Sequence, residues 1–229
     1  MKNKVFTISL IIPTRNEEDG IAELIDLSKE FVDEIIVVDG HSEDNTVERA
    51  RSRGVKVFFD NKIGKGDAYR VGIKHAAGDI LVFMDSDGSH DPRQIPQIIE
   101  PIIKNEADFV IGSRFKGGTD EWKGDLDTYL RSVGGCFLTL MINYIWKTDL
   151  TECLNGFRAI KRDGALKLNL KANDFDIEQH MIVECLKKKL RVAEVGAHEY
   201  ERKWGVSKLP TYKKAYLFFW RLFLDIIDF

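Results

Sequence analysis

The sequence predicts an α/β domain with a doubly wound, mostly parallel sheet covered by helices on both faces. Three observations predict it. Apolar strand-like runs alternate with helical patterns through the first half of the chain. Those runs are apolar throughout rather than at every second residue, as in strands buried on both faces. The connections between them are short, which suits repeated βα units whose ligands bind at the carboxyl ends of the strands.

The first strand is Ile8 to Ile12; Ser9 interrupts the apolar run and Pro13 ends it with no small-residue cleavage site, so the N-terminus reads as a strand and not a leader. Ile21, Leu24 and Ile25 then carry helical spacing. Glu34 to Asp39 is the second strand, and Ser42 and Asp44 are caps for a helix that stops near Gly54. Val55 to Phe59 follows, then a helix over Tyr69 to Ala77 closing at Gly78, then Ile80 to Met84. Pro92 suits a first helical turn leading into Ile95, Ile98, Ile99 and Ile102, and Phe109 to Ile111 is the next strand. Lys116 to Asp127, rich in glycine and charge, reads as a loop. Ser132 to Lys147 and Asp176 to Lys189 read as helices, and Arg191 to Glu201 as extended. In Tyr212 to Phe229 the residues Lys214, Arg221, Asp225 and Asp228 form one narrow polar stripe on a helix otherwise aromatic and aliphatic. Such a face suits either a bilayer interface or packing against the domain or a second subunit. The expected organisation is one domain over 1–211 and a C-terminal amphipathic helix over 212–229.

Composition narrows the function. Of 229 residues, 34 are Lys or Arg and 37 Asp or Glu, a net charge of −3, so no global positive field recruits nucleic acid. Any anion site must be local. Three cysteines, an odd number without a C-x-x-C pair, argue against a disulfide framework or a zinc ribbon and suit a reducing cytoplasm. The longest apolar stretch, Val133 to Trp146, is shorter than the ~18 to 20 residues a spanning helix needs.

The sharpest chemical feature is Asp85-Ser86-Asp87 directly after a buried strand. Two carboxylates one residue apart at a strand end can face magnesium or manganese bridging a diphosphate; a solvated acidic turn is the plain alternative. Asp39, ending the second strand, can accept hydrogen bonds from a ribose or a nucleobase edge. Lys65 stands between glycines before a helix and can approach phosphate closely, although no P-loop string surrounds it. Arg114, after the fifth strand, is similarly poised, with Arg131, Arg202 and Lys208 in looser surroundings. Asp174, Asp176 and Glu178 are carboxylates suited either to base catalysis or to first-turn charge on a helix.

The series IIPTRNEE, VVDGHSEDNT, NKIGKGDA, DSDGSHDP, GSRF, LNGFRAIKRDGA and ERKWGVSK, spread over Thr7 to Lys208, resembles family 2 inverting glycosyltransferases with a GT-A (Rossmann-like) fold. Within them it is most similar to dolichyl-phosphate mannose synthases and other polyprenyl-phosphate hexosyltransferases. The resemblance implies nucleotide contacts from Pro13, Glu17, Asp39, Lys65, Asp85 and Ser86, and a Mg2+ or Mn2+ ion on Asp85, Asp87 and, where relatives often have glutamine, Ser89. It implies phosphate contacts from Lys65, Arg114, Arg131, Arg202 and Lys208, and a catalytic set of Asp87, Arg114, Arg131, Asp176 and Glu178. The chain has Asp39-Gly40 where the family commonly shows two aspartates, and Arg15 where it shows an aromatic residue. Both changes fall at the expected base pocket, so GDP-mannose and donors of the UDP-glucose or UDP-GlcNAc type stay open.

The expectation is therefore transfer of a hexose to a polyprenyl phosphate by an enzyme working peripherally at the cytoplasmic face of a membrane, its oligomeric state open. The alternatives are transfer to a saccharide or protein hydroxyl with Asp176 or Glu178 as base, a sugar-phosphate nucleotidyltransferase, or a nucleotide-sugar-binding regulator.

Overall fold

The computed structural model describes residues 6–120, 126–205 and 211–228, with the side chains of 126–128 and 211–214 outside the description. Seven strands form one sheet: β1 (Ile8–Thr14), β2 (Glu34–Asp39), β3 (Lys56–Phe59), β4 (Ile80–Phe83), β5 (Phe109–Ser113), β6 (Arg158–Lys161) and β7 (Val192–Gly196). Their spatial order is β3-β2-β1-β4-β6-β5-β7. β6 alone runs antiparallel, pairing with β4 through Phe83↔Arg158 and with β5 through Ile111↔Arg158. The sequence reading has no strand at Arg158–Lys161.

Helices α1 (Ile21–Ser28), α2 (Thr46–Ser52), α3 (Lys65–His75) and α4 (Ile95–Ile103) connect the parallel strands. The fully buried residues of β1 divide between two cores. Ile11 packs with Tyr69, Phe83 and Met181 on one face, while Leu10 and Ile12 pack with Ile21, Ile25 and Ile98 on the other. This is the arrangement the uniformly apolar strands predict. α3 starts four residues before the predicted Tyr69, with Lys65 in its first turn. A short 3-10 turn, Pro92–Gln94, leads into α4, and the Asp91 side chain accepts the Arg93 N–H at 2.9 Å. The chain reverses its build-out direction between β1 and β4, which opens a crevice at their carboxyl ends.

After β5 come α5 (Arg114–Gly117), α6 (Leu126–Trp146), α7 (Arg162–Ala165), α8 (Ile177–Lys187) and α9 (Thr211–Ile227). The stretch expected as a loop at Lys116 to Asp127 is helical at both ends, within α5 and from Leu126.

In α9 the middle of the polar stripe turns inward and the aromatic face turns away from the domain. Asp225 is 0% exposed and Arg221 7%, so these two point inward, while Asp228 at the end of the stripe is about half exposed. Arg221 pairs with Asp225 at 2.8 Å, His180 Nδ1 of α8 lies 2.8 Å from Asp225, and the Gln179 amide donates to the Phe218 carbonyl at 2.7 Å. Tyr216, Phe219, Trp220, Phe223 and Ile227 face outward, as do Tyr129, Val133, Phe137, Leu140 and Tyr144 of α6. On α6, too, the polar Thr139 is buried, and Asn143 caps the loop beyond the helix by accepting the Leu150 N–H at 2.9 Å. The outer rows of the two helices meet where the Phe137 and Phe219 rings lie 6.0 Å apart. Each such side chain left in water forgoes about 1.5–3 kcal/mol relative to full burial. No helix among the described residues is long and apolar enough to cross a membrane.

Away from the crevice, Asp108 ties β5 to its neighbours: Arg191 donates to it at 2.9 Å and Lys161 at 2.7 Å. The Arg191 hydrogen bonds, outweighing partial burial and assisted by Lys161, hold its carboxyl well below the usual range. A depressed folded pKa stabilises above the unfolded value near 3.9, and that stability is lost as pH falls through the folded value. Asp108→Asn therefore lowers the melting temperature by a few degrees at neutral pH, and thermal melts show the difference from the parent shrinking below about pH 4.

Candidate functional site

A cavity of about 1190 Å³ opens at the carboxyl ends of β1, β2, β3, β4 and β5, where the strand order reverses. Its first wall is the β1–α1 turn, Pro13 to Glu17, backed by Gly40 and His41 after β2 and by Asp60 and Lys62 after β3. Side chains of the β2–α2 loop hold this turn in place. The Asn16 N–H donates to Ser42 Oγ and the Glu17 N–H to Thr46 Oγ1, both at 2.8 Å, while Asp44 accepts from Glu18 N and Thr46 N. Asp39 belongs to this scaffold rather than to the cavity wall. It is fully buried, and its carboxylate takes the Ser42 N–H at 2.8 Å and the Ser42 hydroxyl at 2.5 Å. That geometry departs from the expected ligand contact, because both oxygens are engaged in shaping the loop.

The floor is built by β4 and α3. Lys65 Nζ lies 2.6 Å from Asp85 and 2.7 Å from Glu178, the first on the β4 rim and the second in the first turn of α8. Burial works against the Lys65 ammonium, but the two carboxylates outweigh it and hold its pKa well above the ordinary lysine value. Burial likewise opposes ionisation of Asp85, and Lys65, then His90, overcome it and keep that carboxyl low. Glu178 is pushed up by burial, with Lys65 pulling the other way.

The glycines beside Lys65 serve packing. A Cβ on Gly64 would lie 2.5 Å from the Asn173 carbonyl oxygen, and one on Gly66 2.2 Å from that of Ala172. Only glycine lets the start of α3 lie against residues 172–173, and that contact brings Lys65 to Glu178.

Asp87 sits beside Asp85 on the wall and pairs with Arg202 at 2.8 Å. Its Oδ1 also accepts the Ser89 N–H at 3.0 Å and the Ser89 hydroxyl at 2.7 Å. Ser89 is 4% exposed and absent from the wall, so it positions Asp87 and does not offer itself as a metal ligand, contrary to the sequence expectation. Residues 202–205 strap the loop down. Lys203 N and Trp204 N donate to the Asp87 carbonyl at 3.0 and 3.2 Å, and the Trp204 ring lies over Gly20 and over Gly88, whose φ is +77°. Ser86 lines the cavity, and its hydroxyl donates to the Pro13 carbonyl at 3.3 Å.

The far wall comes from α5, α6, α8 and α9. Arg114 grips Glu152 through Nε at 2.8 Å and Nη2 at 2.5 Å, and meets Glu199 at 3.2 Å. Burial opposes its charge, and the Glu152 contacts outweigh burial and hold its pKa well above the usual arginine value. Arg131 of α6 lines the same wall, with Phe115, Cys136, Leu154 and Phe218 as apolar lining. Asp174 also lines the cavity, whereas Asp176 is 8% exposed at the N-cap of α8 and off the wall, its carboxyl raised by burial. Lys208 lies outside the described residues. The sequence reading missed Glu152, Glu199 and Phe218, whose nearest signals were the GSRF arginine and the aromatic tail. It also gave no role to Gly156, where a Cβ would lie 2.6 Å from Asp85 Oδ2.

Among the described residues no group of three His, Cys, Asp or Glu side chains converges to hold a metal unaided. The two carboxylates on the wall still fit a hard divalent cation of the magnesium kind, which takes one or two protein carboxylates and fills its remaining positions with water and phosphate. Both already attract cations, the Lys65 ammonium and the Arg202 guanidinium.

Residues 9–165, more than half of the chain, match the model of glycosyl transferase family 2. The chain belongs to that family. This family 2 protein is 31% identical over 197 residues to the glycosyltransferase AglJ of Haloferax volcanii, covering 85% of this chain but 63% of AglJ. It is 28% identical over 211 residues to that organism's low-salt glycan biosynthesis hexosyltransferase Agl6, of which 51% is covered; the chain thus spans less than two thirds of both. It is 27% identical to a UDP-N-acetylglucosamine–dolichyl-phosphate N-acetylglucosaminyltransferase of Methanococcus voltae, with 95% of each chain covered. Glucosyl-3-phosphoglycerate synthase of Mycobacterium tuberculosis, solved with Mn2+, UDP-glucose and phosphoglyceric acid, superposes with a TM-score of 0.76 at 24% identity, over 96% of this chain and 79% of that one. The fold is GT-A, as the motif series implied.

Proposed function

We propose that this family 2 enzyme moves a hexose-type sugar, with inversion, from a nucleoside diphosphate sugar to a polyprenyl phosphate at a membrane face, with a divalent cation of the magnesium or manganese kind. One observation carries the reading. The cavity joins an acidic pair and a buried lysine at the β4 rim to a far wall where Arg114 and Arg131 stand among apolar side chains. The first end suits a diphosphate, and the second suits a phosphate carried on a hydrocarbon. The Methanococcus voltae relative is named for a dolichyl-phosphate acceptor and a uridine donor, which favours uridine over guanosine and GlcNAc over mannose here.

A divalent ion on Asp85 and Asp87 would supply Lewis-acid stabilisation of the leaving diphosphate, worth several kcal/mol. Lys65 and Arg202, each within 3 Å of one of those carboxylates, add positive charge where the diphosphate leaves. The acceptor oxygen must reach the anomeric carbon from the opposite face. A phosphate monoester is already ionised at neutral pH and needs orientation more than a base, and Arg114 and Arg131 provide that orientation. Glu178 is held to Lys65 at 2.7 Å and keeps that lysine in place, and Asp176 accepts the Asp174 N–H at 3.2 Å.

Labelled UDP-GlcNAc, UDP-glucose and GDP-mannose offered with a polyprenyl phosphate, and separately with saccharides, test the proposal. Label should pass into the organic phase, cease to do so in excess chelator, and return with Mn2+. Transfer to saccharide alone, or full transfer in chelator, would sink it.

A further inference from the structure

We infer that the outward plate formed by α6 and α9 is a docking surface for an anionic lipid bilayer, and that it seats the mouth of the cavity on the membrane; the inference rests on the lipid-phosphate reading above. The plate is built inside out. In a helix packed on a water-soluble domain the polar stripe faces solvent, whereas here Arg221 and Asp225 are locked inward against His180 while Phe219, Trp220 and Phe223 face outward. The close approach of Asp225 to His180 and the hydrogen bond from the Gln179 amide to the Phe218 carbonyl join α9 to α8 along its buried side, which leaves the aromatic face outward. α6 continues the same surface with Phe137, Leu140 and Tyr144, Leu140 being 65% exposed and Tyr144 74%.

Two observations choose a bilayer over other occupants. The first is continuity with the cavity. Arg131 and Cys136 of α6 and Phe218 of α9 line its far wall, and the very next positions on those helices, Phe137 and Phe219, belong to the plate. A lipid lying against the plate would have its phosphate beside that wall. The second is charge. Among the described side chains of the two helices no carboxylate faces outward; just past the helix ends Lys147 and Lys171 stand with Asp149 and Asp228. Lys147 lies 4.6 Å from the centre of the Tyr144 ring, and Lys171 pairs with Asp228, just past α9, at 2.6 Å, both side chains about half exposed. Aromatic side chains bordered by lysine suit the headgroup region of an anionic leaflet.

The test sediments the whole protein with vesicles of equal parts phosphatidylcholine and phosphatidylglycerol, and compares Leu140→Glu and Trp220→Glu, with Leu140→Ser and Trp220→Ser as milder versions. None of these positions lines the cavity. Circular dichroism and melting confirm folding. The parent protein should sediment with vesicles, and each glutamate variant should lose about tenfold or more in partitioning, the serine variants less. Equal sedimentation of parent and variants overturns the inference. So does a parent that ignores vesicles but forms a dimer which the same variants dissociate, for then a second copy covers the plate. Transfer to a short, water-soluble isoprenyl phosphate separates the two readings. Variants that keep this transfer but lose vesicles support the docking surface, whereas a parent that binds vesicles yet transfers to no lipid phosphate defeats the proposed reaction and leaves the surface standing.

Discussion

Asp87→Asn lowers turnover by about 10³-fold while the protein melts close to the parent temperature. An asparagine keeps an oxygen for the Ser89 hydroxyl, which Asp87 accepts at 2.7 Å, so the loop geometry survives. What disappears is the charge. Without it Arg202 loses its partner at 2.8 Å, and a divalent ion loses one of the two carboxylates on the wall. Removing one preorganised electrostatic element from an active site costs on the order of 10²–10³ in rate, and a metal contributes several kcal/mol more. Initial rates with labelled donor, together with donor affinity measured by thermal shift in Mn2+, check this. A variant working within about tenfold of the parent would remove Asp87 from the chemistry. Asp85→Asn should fall by a similar factor with Lys65 still held by Glu178.

Gly156→Ala is the second large effect, and it separates position from identity. The added methyl would sit 2.6 Å from Asp85 Oδ2 and 2.9 Å from its Cγ. The obstacle is the end of a side chain, so the backbone stays and Asp85 swings away, breaking its 2.6 Å contact with Lys65. A displacement of about an ångström at a reacting group costs roughly 10²-fold. The chain should fold normally, lose about two orders of magnitude in turnover, and show Lys65 and Asp85 separated in a crystal structure. Gly134→Ala is the matched control: nothing lies within 4 Å of its Cβ position, so transfer should be unchanged. Parent-like activity in Gly156→Ala would mean that the placement of Asp85 does not matter.

The strand-end half of the cavity was legible because its residues follow strand ends. An apolar run that stops at a charged residue marks a rim, and Pro13, Glu17, Asp85 and Asp87 all lie on it. Asp39 was placed on the rim by the same logic. It stands at a rim, but Ser42 three residues on captures its carboxylate, and spacing alone does not say which partner wins. The glycines around Lys65 also admit residues 172–173, more than a hundred positions away, a contact that local spacing does not show. α9 shows the deeper limit. A polar stripe on an apolar helix reveals that two faces differ, but which one meets the protein depends on the surroundings, and here His180 claims the polar one. Arg158–Lys161 was invisible as a strand because Arg158, fully buried, donates at 2.6 Å to the Glu178 carbonyl, a role its charge conceals.

The reversed strand β6 also dictates an order of assembly. β1, β2 and β3 join through neighbouring segments and can form as soon as they are synthesised, whereas β4 and β5 touch only through residues 158–161. Until that piece arrives, a growing chain carries two naked sheet borders, each a template for the wrong partner. The wedge that finally bridges them brings Gly156 against Asp85 and Glu152 against Arg114, so the cavity gains contacts from both sides of the sheet's seam at one step.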